Sequence, residues 1–304
     1  MQTNSEQFRE FKTPKGLLLY ERDSGLNILL DSLKFPKFDK PLYVQVKVTN
    51  KCNLHCPFCS QRSDSSFAHE WSFEELFSLF QYLDELKIGG IALGGGEPFT
   101  FPRFAELVKK TWNETRLDVS ITSNGLLIRD DDLNTLRGSV GEIRVSCWTE
   151  TDVNKAKRLV GKGVHVAINT ILFSNGMKNL ARTIRAAQDL GIDDFLILQC
   201  RQVGRAGPDM CPSEADFQEL ARLVKDLGIH VKVDVGTGAA LAKLGLHRLG
   251  LQSEVNPIIC ITEDKCVAPD SFSREKIPIR RFEDIPRLFG MWQEQGKLSQ
   301  NDLN

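Results

Sequence analysis

The hydrophobic and polar positions follow two different periods along the middle of the chain. Short apolar runs rich in Val, Ile and Leu are typical of buried strands. They predict strands over residues 42–48, 91–93, 118–122, 142–146, 164–169, 194–199 and 231–235. Between them, apolar residues recur at the spacing of one helical face, which is typical of amphipathic helices. These helices cover residues 72–86, 102–112, 177–190 and 213–227.

The first of these helices has the clearest start. Ser72 and Glu75 have the spacing of a capping box, in which each side chain bonds the backbone N–H of the other residue. Apolar side chains then line one face of the helix. They are Phe73, Leu76, Phe77, Phe80, Leu83 and Leu86. We therefore assign these aromatic residues to the core and not to a cofactor site.

The alternation of strand and helix predicts an α/β fold. Six strand–helix units with right-handed crossovers would form a curved parallel sheet, a (β/α)6 partial barrel that is open at one side. Before the barrel, residues 16–21 and 26–30 flank a polar turn at residues 22–25, which predicts a β-hairpin. This hairpin could cover the sheet or add a strand to an edge.

Three parts are expected along the chain. Residues 1–40 form the N-terminal hairpin extension, residues 41–210 the partial barrel, and residues 211–304 a C-terminal α/β extension or cap. With 304 residues, the chain is long enough to bury a large core.

The composition narrows the class of protein. Hydrophobic residues make up 41% of the chain and charged residues 26%, as expected of a globular protein. The net charge of −1 argues against nucleic acid as a partner, because binding to phosphates needs clustered positive charge. No apolar run approaches the roughly 18 residues of a membrane span, and the N-terminus is too polar for a signal peptide. We expect a reducing, cytoplasmic location, where cysteines more often serve metal binding or catalysis than disulfides.

Three cysteines follow the first barrel strand, at the end where parallel α/β proteins bind their ligands. Cys52, Cys56 and Cys59 have the spacing C-x3-C-x2-C. Thiolates are ligands for both iron–sulfur clusters and zinc, so the ligand type alone does not decide the metal. Structural zinc usually takes four protein ligands in two paired halves, and a fourth is missing nearby. A cluster with three protein ligands keeps one iron open for another molecule.

With Phe58 before the third cysteine, this stretch resembles the signature of radical S-adenosylmethionine (SAM) enzymes. The resemblance implies a [4Fe–4S] cluster on the three cysteines, whose open iron chelates the amino and carboxylate groups of SAM. It also implies reductive cleavage of SAM to methionine and a 5′-deoxyadenosyl radical, which abstracts hydrogen from a substrate. The sequence offers no clear acid–base pair for the steps that follow.

The motifs that follow the cysteine loop come in the same order along the chain as in that family. Glycines after the second strand let the backbone approach a ligand, and the resemblance assigns the SAM amino group to Gly95, Gly96, Glu97 and Pro98; a plain turn is the alternative. The resemblance places further cofactor contacts at the ends of later strands. These positions are Ser123, Asn124, Ser146, Asn169, Val203 and Gly204, beside Phe58 in the cysteine loop.

Some of these later positions have alternative interpretations. Ser123 and Asn124 could form a simple turn, and Asn169 a strand-end cap. Ser146 is followed by Cys147 where relatives often continue S-x-D-G, and Cys147 is typical of a small buried apolar residue. After the sixth strand, Arg201 or Arg205 could bind an anionic substrate or lie in a solvated loop.

Cys260 and Cys266 near the C-terminus resemble a degenerate form of the SPASM and twitch extensions. In some relatives, these C-terminal segments hold auxiliary iron–sulfur clusters. Cys200 and Cys211 would complete four ligands, but the tight cysteine run of those segments is absent. Two interpretations stay open: an auxiliary cluster, or three cluster thiols with five ordinary cysteines.

The resemblance implies a peptide or a small molecule of the natural-product type as substrate, and an electron donor such as flavodoxin or ferredoxin. The alternative is an iron–sulfur protein for electron transfer or structure, which does not cleave SAM. That alternative leaves the Gly-Gly-Glu-Pro motif unexplained.

Overall fold

The computed structural model describes residues 8–22, 27–31, 35, 37–227, 231–244 and 258–296. Its first strands are β1 (Arg9–Thr13), β2 (Gly16–Tyr20) and β3 (Asn27–Leu30), which form a separate antiparallel sheet in this order. The pairing of β2 with β3 confirms the predicted hairpin, although most of its turn lies outside the described residues. Strand β1 was not predicted.

This small sheet lies at the amino ends of the barrel strands. The guanidinium of Arg22 donates to the carbonyl oxygens of Trp112 and Thr115, both at 3.1 Å, just before the third barrel strand. The hydroxyl groups of Tyr20 and Tyr43 are 3.1 Å apart, at the start of the first barrel strand. The extension therefore covers the barrel at the end opposite to the cysteine loop.

In the described part of the chain, the main sheet has ten strands. They are β4 (Tyr43–Thr49), β5 (Gly90–Gly95), β6 (Asp118–Ser123), β7 (Glu142–Ser146), β8 (Val166–Leu172), β9 (Phe195–Gln199), β10 (Lys232–Val233), β11 (Ile258–Ile261), β12 (Cys266–Ala268) and β13 (Ile277–Pro278). Their order in the sheet is β10-β9-β8-β7-β6-β5-β4-β11-β12-β13. Strands β4 to β9 pair in parallel, which confirms the predicted six-strand core. The predicted C-terminal extension contributes β11 parallel to β4, while the boundary at residue 210 remains a prediction.

Eight α-helices occur in the described part of the chain. They are α1 (Phe73–Glu85), α2 (Phe104–Glu114), α3 (Asp130–Leu136), α4 (Val153–Lys157), α5 (Met177–Gln188), α6 (Glu214–Leu227), α7 (Val235–Lys243) and α8 (Asp284–Glu294). Short 3₁₀ turns cover Pro98–Thr100, Glu150–Asp152 and Pro208–Met210. The capping box of Ser72 and Glu75 is present at the start of α1. No helix in this part of the chain has both the length and the apolar character needed to cross a bilayer.

The two faces of the barrel strands differ in polarity. In β4, Val44, Val46 and Val48 are fully buried in the layer between sheet and helices. Because side chains alternate along a strand, Gln45 and Lys47 face the barrel interior. A polar interior of this kind suits a ligand better than a packed core.

The sheet is curved enough for its distant strands to meet. The guanidinium of Arg201, just after β9, lies 4.3 Å from the ring centroid of Phe272, which follows β12. Beside it, Lys47 of β4 donates to the carbonyl oxygen of Ser271 at 3.1 Å. Since β9 and β12 are far apart in the strand order, these contacts require the sheet to roll up. The segment after β12 therefore lies across the open side of the barrel.

Candidate active site

The cysteine loop leaves the sheet directly after β4. The backbone N–H of Cys52 donates to the carbonyl oxygen of Asp64 at 2.9 Å, which joins the two ends of the loop. Within the loop, the N–H of Cys59 donates to the carbonyl oxygen of Cys56 at 3.2 Å and forms a tight turn. All three cysteines are free and half-buried. The loop therefore presents its thiols at the carboxyl ends of the strands, as predicted.

The three thiols act on one another electrostatically. Burial is the main cause that raises the pKa of Cys52, and the charges of Glu97, Cys56 and Cys59 add to it. Burial and the Cys59 thiolate also raise the pKa of Cys56, while the positive charge of Arg205 acts in the opposite direction. These mutual effects indicate that the three sulfur atoms lie near one another. Metal ions would relieve this repulsion, because they bind the thiolate form.

The spacing of the thiols bears on the kind of metal centre that they could hold. Sulfur ligands lie about 2.3 Å from a zinc ion and hence only about 3.8 Å from each other. In the described residues, the one group of three metal-ligating side chains with ligand atoms within 4.8 Å of one another is Glu142, His165 and Asp194. At least one pair of the three sulfur atoms is therefore more than 4.8 Å apart, which is wider than the spacing around a single zinc ion. This donor set fits an iron–sulfur cluster.

The group of Glu142, His165 and Asp194 lies at the amino ends of β7 to β9, away from the thiols. Arg144 donates to Glu142 at 2.6 Å and to Asp194 at 3.1 Å, and Lys232 donates to Asp194 at 2.9 Å. These two cations already neutralise the carboxylates. The group therefore does not compete as a metal site.

The glycines after β5 pack against the entrance of the cysteine loop. The N–H of Gly96 donates to the carbonyl oxygen of Thr49 at 2.7 Å, and the N–H of Glu97 to that of Lys51 at 2.8 Å. A Cβ atom would lie 2.3 Å from the Thr49 oxygen at Gly95 and 2.2 Å from the Lys51 oxygen at Gly96. Gly95 also has a φ of +118°. Only glycine permits this approach.

Glu97 is fully buried and organises the neighbouring turns. Its Oε1 accepts from the Ser123 hydroxyl at 2.8 Å and the Phe99 N–H at 3.1 Å, and its Oε2 accepts from the Asn124 N–H at 2.7 Å. Burial raises the pKa of Glu97, and these bonds act against the shift because they stabilise the carboxylate. Pro98 is also buried, at the start of a 3₁₀ turn. The predicted SAM contacts of Glu97 and Pro98 stay predictions, since their visible role is to join β5 to β6.

Asn124 connects the end of β6 to the cysteine loop. Its Nδ2 donates to Oδ1 of Asn53 at 2.8 Å, and its Oδ1 accepts from the N–H of Leu126 at 3.0 Å. Ser123 accepts a bond from the N–H of Gly125 at 2.9 Å, which forms the turn that the sequence allowed. The turn is therefore present, and the predicted cofactor contacts of Ser123 and Asn124 remain predictions.

Comparison with known protein families agrees with this geometry. The family model described as the radical SAM superfamily matches residues 46–200, half of the chain. The chain belongs to the radical SAM superfamily. It is accordingly an enzyme of a family that uses SAM and an iron–sulfur cluster.

Individual relatives are distant. The chain is 22% identical over 214 residues to the "Probable GTP 3′,8-cyclase" of Saccharolobus islandicus (strain Y.N.15.51 / Yellowstone #2), covering 65% of this chain and 69% of that protein. It is 25% identical over 199 residues to the sporulation killing factor maturation protein SkfB of Bacillus subtilis (strain 168). That match covers 60% of this chain and 48% of SkfB.

Solved structures confirm the fold class. Streptococcus suis SuiB bound to SAM superposes with a TM-score of 0.72 at 14% identity, over 95% of this chain and 88% of SuiB. The enzyme anSMEcpe with bound SAM gives a TM-score of 0.65 at 15% identity, over 87% of this chain and 84% of anSMEcpe. At these identities, the likeness concerns the fold alone.

Ser146 and Asn169 place two polar side chains next to each other inside the barrel, and their predicted contacts with SAM remain predictions. They are paired neighbours on β7 and β8, and their strand neighbours Val145 and Ile168 lie in the core on the helix side. Asn169 is buried, and its Oδ1 has no hydrogen-bond partner in the described residues. A buried acceptor without a partner costs about 1–3 kcal/mol, so a ligand hydroxyl such as that of ribose fits there.

The position of Asn169 within its strand differs from the prediction. Strand β8 continues to Leu172, whereas the sequence pattern predicts that the strand ends at residue 169. The residues after Asn169 are β-branched or apolar and extend the strand. Asn169 is therefore not a strand-end cap.

Phe58 belongs to an aromatic cluster beside the thiols. Its ring packs edge-to-face on Trp148, with centroids 5.4 Å apart, and on Phe173, with centroids 4.9 Å apart. Sequence reasoning missed Trp148 and Phe173, because no motif marks them. Their positions directly after β7 and β8 were the available signal.

The loop after β9 contacts the cysteine loop. A Cβ atom at Gly204, which has a φ of +68°, would lie 2.3 Å from the carbonyl oxygens of Cys59 and Ser60. Val203 precedes it in a turn closed by its N–H and the carbonyl oxygen of Arg201 at 2.7 Å. The predicted adenine contacts of Val203 and Gly204 remain predictions.

The remaining cysteines have ordinary surroundings. Cys147 is fully buried, which fits the predicted apolar role. Burial and the neighbouring Cys211 raise the pKa of Cys200 to about 11. Cys260 pairs in register with Ala268, not with Cys266, and burial raises its pKa to about 12. An auxiliary cluster on Cys260 and Cys266 stays a prediction.

Proposed function

We propose that this radical SAM enzyme binds a [4Fe–4S] cluster through Cys52, Cys56 and Cys59 and modifies a peptide substrate. The observation that carries the proposal is the set of three free thiols, not all within 4.8 Å of one another, in the loop that follows the first strand of a parallel barrel. When bound, the reduced cluster and SAM supply a 5′-deoxyadenosyl radical that abstracts hydrogen from the substrate, with methionine as the other product.

The residues around the thiols hold and orient the cofactors. Ser146 and the unpaired Oδ1 of Asn169 are suited to the ribose of SAM. At Gly94, an added Cβ would meet only Thr122, at 3.9 Å, so space is open beside the backbone before Gly95 and Gly96. That space suits the amino group of SAM, which could donate hydrogen bonds to the carbonyl oxygens of the glycine backbone.

The aromatic cluster has a protective task. Phe58, Trp148 and Phe173 form an apolar wall beside the cysteine loop. A reactive radical must be kept from water and from competing hydrogen donors. An apolar wall excludes water, and its edge-to-face contacts hold Phe58 in one position.

Two observations support a peptide over a nucleoside triphosphate as the substrate. Arg201 pairs with Asp234 and stacks on Phe272, while Arg205 donates to backbone carbonyls of the cysteine loop. Both arginines that the sequence offered for an anionic substrate are thus engaged. Among similar structures, SuiB has been solved with its precursor peptide SuiA, and SkfB is named a maturation protein.

The chemistry also needs a one-electron donor and a reducing environment. Flavodoxin or ferredoxin are suitable donors, and all eight cysteines are free, which agrees with a cytoplasmic location. An electron-transfer protein without SAM cleavage is the rival function.

Anaerobic reconstitution tests the proposal. We expect about four irons and four sulfides per chain, and 5′-deoxyadenosine after reduction with SAM. Cys56→Ala should abolish both, whereas Cys211→Ala, which removes another half-buried thiol, should not. An intact, reduced cluster without SAM cleavage would favour the electron-transfer function.

The substrate class needs its own measurement. Cell extract is separated by dialysis, and each fraction is added to the reduced enzyme with SAM. A peptide substrate predicts that the retained fraction stimulates 5′-deoxyadenosine formation and that protease treatment removes the effect. Stimulation by the dialysable, protease-resistant fraction would instead indicate a small molecule.

A further inference from the structure

Arg205 connects the loop after β9 to three places in the cysteine segment. Its backbone N–H donates to the carbonyl oxygen of Cys59 at 3.0 Å. Its Nε donates to the carbonyl oxygen of Cys56 at 2.8 Å, and its Nη2 to that of Ser63 at 2.7 Å. Two of the three acceptors belong to the cysteines that carry the thiols.

An exposed side chain adds one bond at the edge of this contact. The Nε of Arg62 donates to the carbonyl oxygen of Gly204 at 3.2 Å. Gly204 approaches the carbonyl oxygens of Cys59 and Ser60 more closely than any residue with a Cβ could. The backbone of the two loops is therefore in direct contact, and this contact places Arg205 in reach of its acceptors.

Arginine suits this position for a geometric reason. A loop outside regular structure leaves carbonyl oxygens that need hydrogen-bond partners. The planar guanidinium offers Nε and Nη2 as a rigid fork, so it can bond two separate carbonyl oxygens at once. A lysine would keep the charge but lose the fork.

The charge itself acts on the cluster site. Three thiolates and a reduced cluster concentrate negative charge, and nearby positive charge and hydrogen bonds favour the more reduced state. The guanidinium of Arg205 bonds the backbone of Cys56 directly, which places its charge beside the cluster site. It acts on the cluster site through the cysteine loop and through its electric field.

We propose that Arg205 is a positioning residue for the iron–sulfur cluster, which holds the cysteine loop in its ligand-binding shape and raises the reduction potential of the cluster. The inference rests on the proposed function, because it requires that the cysteines bind a cluster.

The test uses Arg205→Gln, which removes the charge, and Arg205→Lys, which keeps the charge without the fork. Arg62→Gln is the matched control from the same contact, because it loses one bond to a backbone carbonyl from an exposed side chain. The reconstituted holoenzymes are compared by the midpoint potential of the cluster, followed by electron paramagnetic resonance, and by the rate of iron release to a chelator. Neither readout depends on SAM cleavage.

We expect Arg205→Gln to have a more negative potential and to release iron about tenfold faster, the scale of losing a hydrogen bond from a charged donor. Arg205→Lys should keep the potential near that of the wild type but release iron faster. Arg62→Gln should change neither. Should Arg205→Gln fail to fold, Arg205→Lys still tests whether the two bonds from the planar guanidinium are needed.

Unchanged potential and unchanged iron release in both Arg205 variants would overturn the inference. Equal effects in Arg62→Gln would also overturn it, because they would indicate a general loosening of the loops. A wild-type protein that assembles no cluster would instead refute the proposed function, and this inference with it.

Discussion

Replacing Glu97 by Gln tests whether this carboxylate organises the site from within the fold. Three donors share its two oxygen atoms: the Phe99 N–H, the Ser123 hydroxyl and the Asn124 N–H. Gln turns one acceptor into a donor, so at least one buried donor faces an NH2 group. The expected loss is about 1–3 kcal/mol for each donor left without an acceptor. Ala would remove all three bonds, about 3–9 kcal/mol, which approaches the whole stability of a typical domain.

The assay is urea unfolding of the reduced apoproteins, with the iron content after reconstitution as the second readout. Glu106→Gln is the matched control, because Glu106 is exposed and bonds Arg103 on its own helix turn. Such a surface pair is worth at most about 1 kcal/mol. We expect Glu97→Gln to lower both the free energy of unfolding and the iron content, since Asn124 also holds the cysteine loop through Asn53. Equal unfolding free energies for Glu97→Gln and the wild type would refute the reasoning.

Three further predictions follow from individual contacts. Gly204→Ala should lower iron retention, because its Cβ would collide with the cysteine loop. The control is Gly161→Ala, where φ is +76° and nothing lies within 4 Å, so the change should cost only about 1 kcal/mol of backbone strain. Equal iron contents in the two variants would contradict the prediction. Asn169→Ala should weaken SAM binding to the reconstituted enzyme about tenfold in equilibrium dialysis, without lowering the stability of the apoprotein; unchanged binding would remove Asn169 from the site. Although burial opposes it, the ammonium of Lys232 helps to hold the pKa of Asp194 below its usual value. The folded protein should therefore lose the stability that ionised Asp194 contributes as the pH falls below about 4. In acid unfolding, Asp194→Asn should show a smaller change of the unfolding free energy with pH in that range.

The sequence predicted those features whose causes are local. The capping box at Ser72 needs only residues three positions apart, and the cysteine motif needs only a loop at the end of β4. The six central strands were found because each is a short apolar run. Strand β1 was missed because its residues alternate with charged ones and its partner, β2, decides its pairing.

The roles of Glu97, Asn169 and Arg205 could not be predicted in this way. Each depends on a neighbour that is distant in the chain: Glu97 reaches β6, Asn169 lies beside Ser146 of β7, and Arg205 bonds residues about 150 positions earlier. Motif spacing identifies which residues are concerned, but only the strand order decides which of them meet.

These contacts indicate the structural role of Gly95 and Gly96. The segment from Thr49 through the cysteine loop is bonded by β5 through the N–H of Gly96, by β6 through Asn124, and by the loop after β9 through Arg205. These bonds come from three neighbouring parts of the barrel and hold the backbone of the loop. The space at Gly95 and Gly96 is already filled by backbone oxygens. Glycine is thus required there by the fold itself, and any contact with SAM is added to a geometry that the cysteine loop already demands.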